Sequence, residues 1–206
     1  MIEVEDRRAL KQFSEKLLPS VRGTAYDQTM LVDGNDERGI DVGLMVRHCK
    51  GRQELYQRIR DGQIGEINLL RAYRMHGPVG FFNSPPKPAN ISDLDYQIRR
   101  FHSFLWASGG NYSDFYIHII DHLSWMKNSW PVSAQALGGR HYKVSPEGIP
   151  YVDQNFDTYS VEYTFADGTK FFFDGRCVTG AEGRYSSYIH GTKGSAIAAR
   201  ANDCGT

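Results

Sequence analysis

The chain has 206 residues, with 24 Lys plus Arg against 24 Asp plus Glu, 40% apolar and 13% aromatic content. That is enough for one large or two small domains with a real core, and too apolar for a disordered chain. The net charge of zero leaves no electrostatic footprint for nucleic acid or an anionic membrane.

Residues 3–18 read as a charged helix with Leu10, Phe13 and Leu17 on one side, stopped by Pro19. A turn-rich stretch follows to Gly39, then a buried strand over Ile40–Val46. Cys49–Asp61 has the spacing of an amphipathic helix closed by Gly62, and Glu66–Met75 reads as a long strand. Residues 77–90 hold Pro78, Pro85, Pro86 and Pro88, so no regular element crosses them, and such a long excursion is more often functional than idle. Asp93–Trp106 reads as a helix and Val132–Tyr142 as a strand. Thr158–Phe165 and Thr169–Asp174 flank Ala166-Asp167-Gly168, which is hairpin chemistry. Tyr185–His190 adds a strand. This order predicts an α+β fold: a mostly antiparallel open sheet with helices on one face. Period-two alternation assigns Tyr159, Val161, Tyr163 and Phe165 to the other, open face, where an aromatic surface invites a partner chain.

Cys49, Cys177 and Cys204 are an odd set without a Cys-x-x-Cys pair, which points to a reducing compartment. No apolar run reaches membrane length and the first residues lack a secretion segment, so the expected location is cytoplasmic. Asn90-Ile91-Ser92 and Asn111-Tyr112-Ser113 match the glycosylation triplet, which arises readily by chance.

Asp114, His118, Asp121 and His122 form the run D-x-x-x-H-x-x-D-H. On a helix, offsets of four and seven stack Asp114, His118 and Asp121 along one stripe. A carboxylate one turn before an imidazole fixes its tautomer and suits proton transfer. The same spacing also fits an ordinary amphipathic helix with a solvated polar edge. A zinc set from His118, Asp121 and His122 is conceivable by ligand type, but no metal site is adopted.

From about residue 41 to 206 the chain resembles the C-terminal domain of the glucose–fructose oxidoreductase / inositol dehydrogenase family. The pieces are Val42–His48, Glu54–Ile67, Ser108-Gly109-Gly110, Asp114-x-x-x-His118-x-x-Asp121, the hairpin from Glu162 to Phe172, and His190-Gly-Thr-Lys-Gly194. The resemblance implies a sheet domain that shapes a sugar or polyol pocket and a homo-oligomer interface. It also implies NAD or NADP in a full-length relative. It makes His118 the group that moves the hydroxyl proton and Asp114 its orienting partner. Substrate contacts are assigned to Arg47, Tyr96, Arg99, Arg100 and Asp121, although Arg47 fits a strand-end charge in water equally well, and Arg99 and Arg100 fit a solvated basic face better.

The chain departs from the family in lacking a strand followed by G-x-G-x-x-G, so no cofactor-binding residue is assigned. The Glu-Lys-Pro motif is also missing. Residues 1–42 resemble a fragment of the endonuclease/exonuclease/phosphatase family, with Glu3 at a Mg²⁺-binding position. A hard cation wants several oxygen ligands, and only one is recognisable. The expectation is a leader over 1–40 joined to an oxidoreductase-like domain over 41–206, truncated at its end and not active alone. A non-catalytic module pairing through the sheet face, or a residual nuclease, are the alternatives.

Overall fold

The computed structural model describes residues 44–78, 82–140 and 144–200. Glu3, the helix expected over 3–18, the leader boundary and Cys204 lie outside the described residues.

The described chain opens on a 3-10 turn at Met45–His48, followed by helix α1 (Lys50–Arg60) and strand β1 (Ile67–His76). Next come α2 (Asp93–Arg99), a 3-10 turn at Phe101–Ser103, the single-turn α3 (Leu105–Ser108), a π-turn at Tyr112–Tyr116 and α4 (Ile117–Lys127). Strands β2 (Ser133–Gly139), β3 (Thr158–Thr164), β4 (Lys170–Cys177), β5 (Arg184–Gly191) and β6 (Ser195–Ala199) complete the sheet.

The six strands lie in the order β2-β3-β4-β1-β5-β6. Every neighbouring pair is antiparallel except β1 and β4, which run parallel. A parallel pair needs a crossover, and the helical segment between β1 and β2 begins it across one face. There Leu70 and Ala72 of β1, Phe171 and Phe173 of β4, Val161 of β3 and Ile189 of β5 pack with Tyr116, Ile119, Leu123 and Met126. Fully burying side chains of this size stabilises by about 1.5–3 kcal/mol each, which makes this layer the main source of stability. The fold is therefore α+β with a mostly antiparallel open sheet.

Three expectations need correction, and one strand comes in addition. Of the strand expected over Ile40–Val46, residues 40–43 lie outside the described residues, and Met45 and Val46 belong to the 3-10 turn at Met45–His48. Asp93–Trp106 is three short turns: Asn155 Nδ2 donates to the His102 carbonyl (2.9 Å), and the Leu105 N–H donates to Gln154 Oε1 (2.9 Å). Those bonds capture backbone groups that a continuous helix would use. Tyr159, Val161, Tyr163 and Phe165 belong to the covered face: Val161 and Phe165 are buried and both tyrosines pack on the core. The open face carries Phe172, Asp174, Arg71, Tyr73 and Tyr188, with the pairs Lys170–Glu162 (2.7 Å) and Ser160–Asp174 (2.8 Å). Strand β6, a short edge of small residues, was not expected.

Candidate functional site

The segment that carries the acid-and-imidazole run begins at two glycines. Gly109 and Gly110 adopt left-handed φ of 71° and 79°, a region that costs L side chains energy. A Cβ on Gly110 would sit 2.8 Å from Asn155 Oδ1. The tight entry lets Asn155 Oδ1 accept from the Asn111 N–H, which fixes where the helix starts. The chain then makes a π-turn, in which the Ile117 N–H donates to the Tyr112 carbonyl. One wide turn breaks the four-residue register assumed for a regular helix.

Asp114 lies inside that turn and does not reach His118. Its carboxylate pairs with His102, Nε2 to Oδ2 at 3.3 Å. Among the described residues it has no other ion pair or hydrogen bond. The stacked stripe of Asp114, His118 and Asp121 expected from spacing is thus not formed. Burial raises the Asp114 carboxyl to about 6 and lowers His102 to about 4.

His118 sits at the start of α4, partly buried. Neither ring nitrogen has a hydrogen-bond partner among the described residues. Nδ1 is sealed from solvent, which leaves Nε2 as the nitrogen a ligand can reach. Burial lowers its pKa, Arg74 lowers it further, and Asp121 opposes both. The ring is therefore neutral near pH 7.

Sequence reasoning missed Arg74, and read His76 only as a residue that lines the proline-containing loop. Both occupy the covered face of β1, at positions where the alternation calls for apolar side chains. The Arg74 guanidinium lies between the rings of Phe115 (4.0 Å) and Tyr185 (4.4 Å). Such stacking favours a desolvated cation. His76 stacks edge-on against Phe115 at 4.5 Å, and burial lowers it to about 4. The available signal was a charge in phase with the inward, apolar Leu70 and Ala72 of the same strand. Phe82 packs 5.2 Å from His102 and 6.4 Å from Phe115, linking the proline-containing loop to the same cluster.

The other expected residues lie elsewhere or serve one another. Arg47 donates to both oxygens of Asp121, at 2.9 and 2.6 Å. Asp121 is fully buried, whereas the Arg47 side chain keeps 40% of its exposure. Tyr96 is buried and its hydroxyl donates to the Pro85 carbonyl, pinning the loop. Arg99 is exposed at the end of α2, and Arg100 lies near Tyr96. His122 is fully buried and bonds Ser187 Oγ through Nε2 at 2.7 Å. Among the described residues no three His, Cys, Asp or Glu side chains gather as metal ligands.

Of the two parallel strands, β1 runs into Gly77-Pro78 and β4 into the turn at 178–180. A concavity of about 450 Å³ opens beside Leu137, Ser160, Asp174 and Arg176, but none of the candidate residues lines it.

Residues 52–197 match the GFO/IDH/MocA C-terminal domain, and the chain belongs to that family. Among solved structures it is similar to myo-inositol 2-dehydrogenase from Lactobacillus plantarum, at 22% identity and a TM-score of 0.52, covering 75% of this chain and 40% of that one. It is also similar to levoglucosan dehydrogenase in complex with NADH and levoglucosan (21%, TM-score 0.56), covering 75% and 38%. An oxidoreductase domain protein from Kribbella flavida gives 19% and 0.58, with 75% and 38% covered. At such identities these structures speak for the fold, and this chain spans about two fifths of their length. Comparison with curated proteins returns no match. The matched span excludes residues 1–42, and no comparison supports their nuclease resemblance.

Proposed function

We propose that the chain is the substrate-binding domain of a sugar or polyol oxidoreductase. A polyhydroxylated ring would bind where His118, Arg74 and His76 meet at the end of β1. The observation that carries this reading is His118: a neutral, partly buried imidazole whose reachable Nε2 is engaged by nothing else. A nitrogen in that state can hold or move the proton of a bound hydroxyl. Arg74 nearby favours negative charge developing on the oxygen. Asp114 is the second polar contact. Arg47 and Asp121 brace the 3-10 turn against α4. Tyr96, and with it Arg100, hold the loop at the rim. The hydride acceptor, NAD or NADP, would be held outside the described residues, so this domain is not expected to turn over alone. Pairing of copies through the open sheet face belongs to the same reading. It is supported by Leu137, Phe172 and Ile197, exposed at 81%, 40% and 42%. A cytoplasmic setting suits Cys49 and Cys177, both buried and neither in a disulfide.

Calorimetric titration with myo-inositol and levoglucosan tests the proposal. Saturable binding that His118→Ala removes, with the fold retained, is the expected result. Equal binding by wild type and His118→Ala would place the ligand elsewhere, and no binding by either would end the reading.

A further inference from the structure

His102 is absorbed by none of the roles above. The residue is buried, with its ring stacked on Phe101 (centroids 3.9 Å) and edge-on to Phe82. The turn that carries it is held from three directions. Asn155 Nδ2 takes the His102 carbonyl (2.9 Å), the Gln154 N–H takes the Ser103 carbonyl (2.9 Å), and the Ser103 hydroxyl donates to Ser84 Oγ (2.7 Å). Asn155 also fixes the start of the helix bearing Asp114. One side chain therefore sets the distance between the imidazole and the carboxylate. Asp114 keeps 30% of its side-chain exposure, and its Oδ1 has no partner among the described residues.

Resting on the polyol reading, we propose that His102 is a positioning residue. It grips one oxygen of Asp114 so that the other faces outward to accept a hydroxyl of the bound polyol. The π-turn is what makes this possible, because it swings the carboxylate off the His118 stripe and onto the 3-10 turn. The 3.3 Å approach of His102 Nε2 to Asp114 Oδ2 is the contact through which the imidazole would favour the ionised form of a carboxylate that burial disfavours. The remaining titratable groups around the cluster are Arg74 and His76 on β1, across Phe115, and His118 on α4. Burial alone accounts for the rise at Asp114.

The test uses the 206-residue chain with His102→Phe, which keeps the ring shape and removes the donor, and His102→Gln, which keeps a donor at similar reach. The Asp114 carboxyl carbon is titrated by ¹³C NMR, and myo-inositol affinity is measured at pH 7. His102→Phe is expected to move the Asp114 midpoint up by about one unit and to weaken the polyol about tenfold. His102→Gln is expected to leave the midpoint within about 0.3 unit and affinity within about threefold. Should His102→Phe not fold, His102→Leu gives the same contrast. A midpoint that stays put in the apolar variant, or moves equally in both, overturns the role of His102. If wild type binds no polyol while the midpoint still follows His102, the polyol reading fails and the grip on Asp114 stands. If wild type binds polyol and the midpoint ignores His102, only the present inference fails.

Discussion

The Arg47–Asp121 pair is lopsided, and the asymmetry has a measurable consequence. Asp121 is fully buried, while the Arg47 side chain is 40% exposed. Replacing Arg47 by Ala strands a carboxylate whose two oxygens lose both N–H donors, at a cost of about 3 kcal/mol. That is the low end for a broken buried pair, because removing Arg47 also opens a path for water. Asp121→Asn keeps the shape and returns the guanidinium to solvent, so it costs about 1 kcal/mol. The double variant should be more stable than Arg47→Ala alone by about 1–2 kcal/mol, since the neutral amide no longer needs a cation. Urea unfolding, followed by fluorescence, reads all three; Arg47 lies over Trp125 at 5.9 Å and Tyr56 stacks on the same indole. The slope of the transition should stay constant and only its midpoint move. If Asp121→Asn is the more damaging single change, or the double variant is the least stable, the burial argument is wrong.

Acid should destabilise the domain. His76 and His102 lie near 4 and His122 near 3, all lowered by burial from 6.5. The unfolded chain thus binds more protons below about 6.5, and stability falls from there toward pH 4. Asp114, raised to about 6, works in the opposite sense between about 4 and 6, but it is one group against three. His122→Gln should make urea midpoints less steep between pH 6.5 and 4.5, and an unchanged slope would contradict the assignment. Gly175→Ala should cost about 1–3 kcal/mol, because the new Cβ would lie 2.8 Å from the buried ring of Tyr116. A thermal midpoint within a degree of wild type would show that the ring gives way. Gly110→Ala should cost about 1–3 kcal/mol of stability and weaken polyol binding as well, since it displaces Asn155 Oδ1 and forces a strained φ. An unchanged unfolding midpoint with affinity retained would contradict it.

The elements that local chemistry specifies were legible. The 49–61 helix, the 66–75 strand and the hairpin around Asp167-Gly168 all lie where spacing put them. What alternation could not settle was which side of β3 is covered. That is decided by Phe171 and Phe173 on the neighbouring strand and by Tyr116 above them, not by β3 itself. The breaks in 93–106 contain no Pro or Gly. They are imposed from 50 residues away by Gln154 and Asn155. In the site, His118 was visible as a residue, but its environment was not. The π-turn has no sequence signature, and Asp114 within it pairs with His102 and not with His118. Arg74 was passed over because β1 carries two arginines, and the sequence alone does not tell the outward Arg71 from Arg74, which two aromatic rings enclose.

The central claim rests on the reachable nitrogen of one imidazole. Long-range ¹H–¹⁵N spectra of the histidine rings, recorded at pH 7 with and without saturating myo-inositol, read it directly. The account predicts that His118 Nε2 shifts as it gains an oxygen partner, while the ring of His122, held by Ser187, stays still. An unmoved His118 in the presence of a polyol that calorimetry shows to be bound would contradict it.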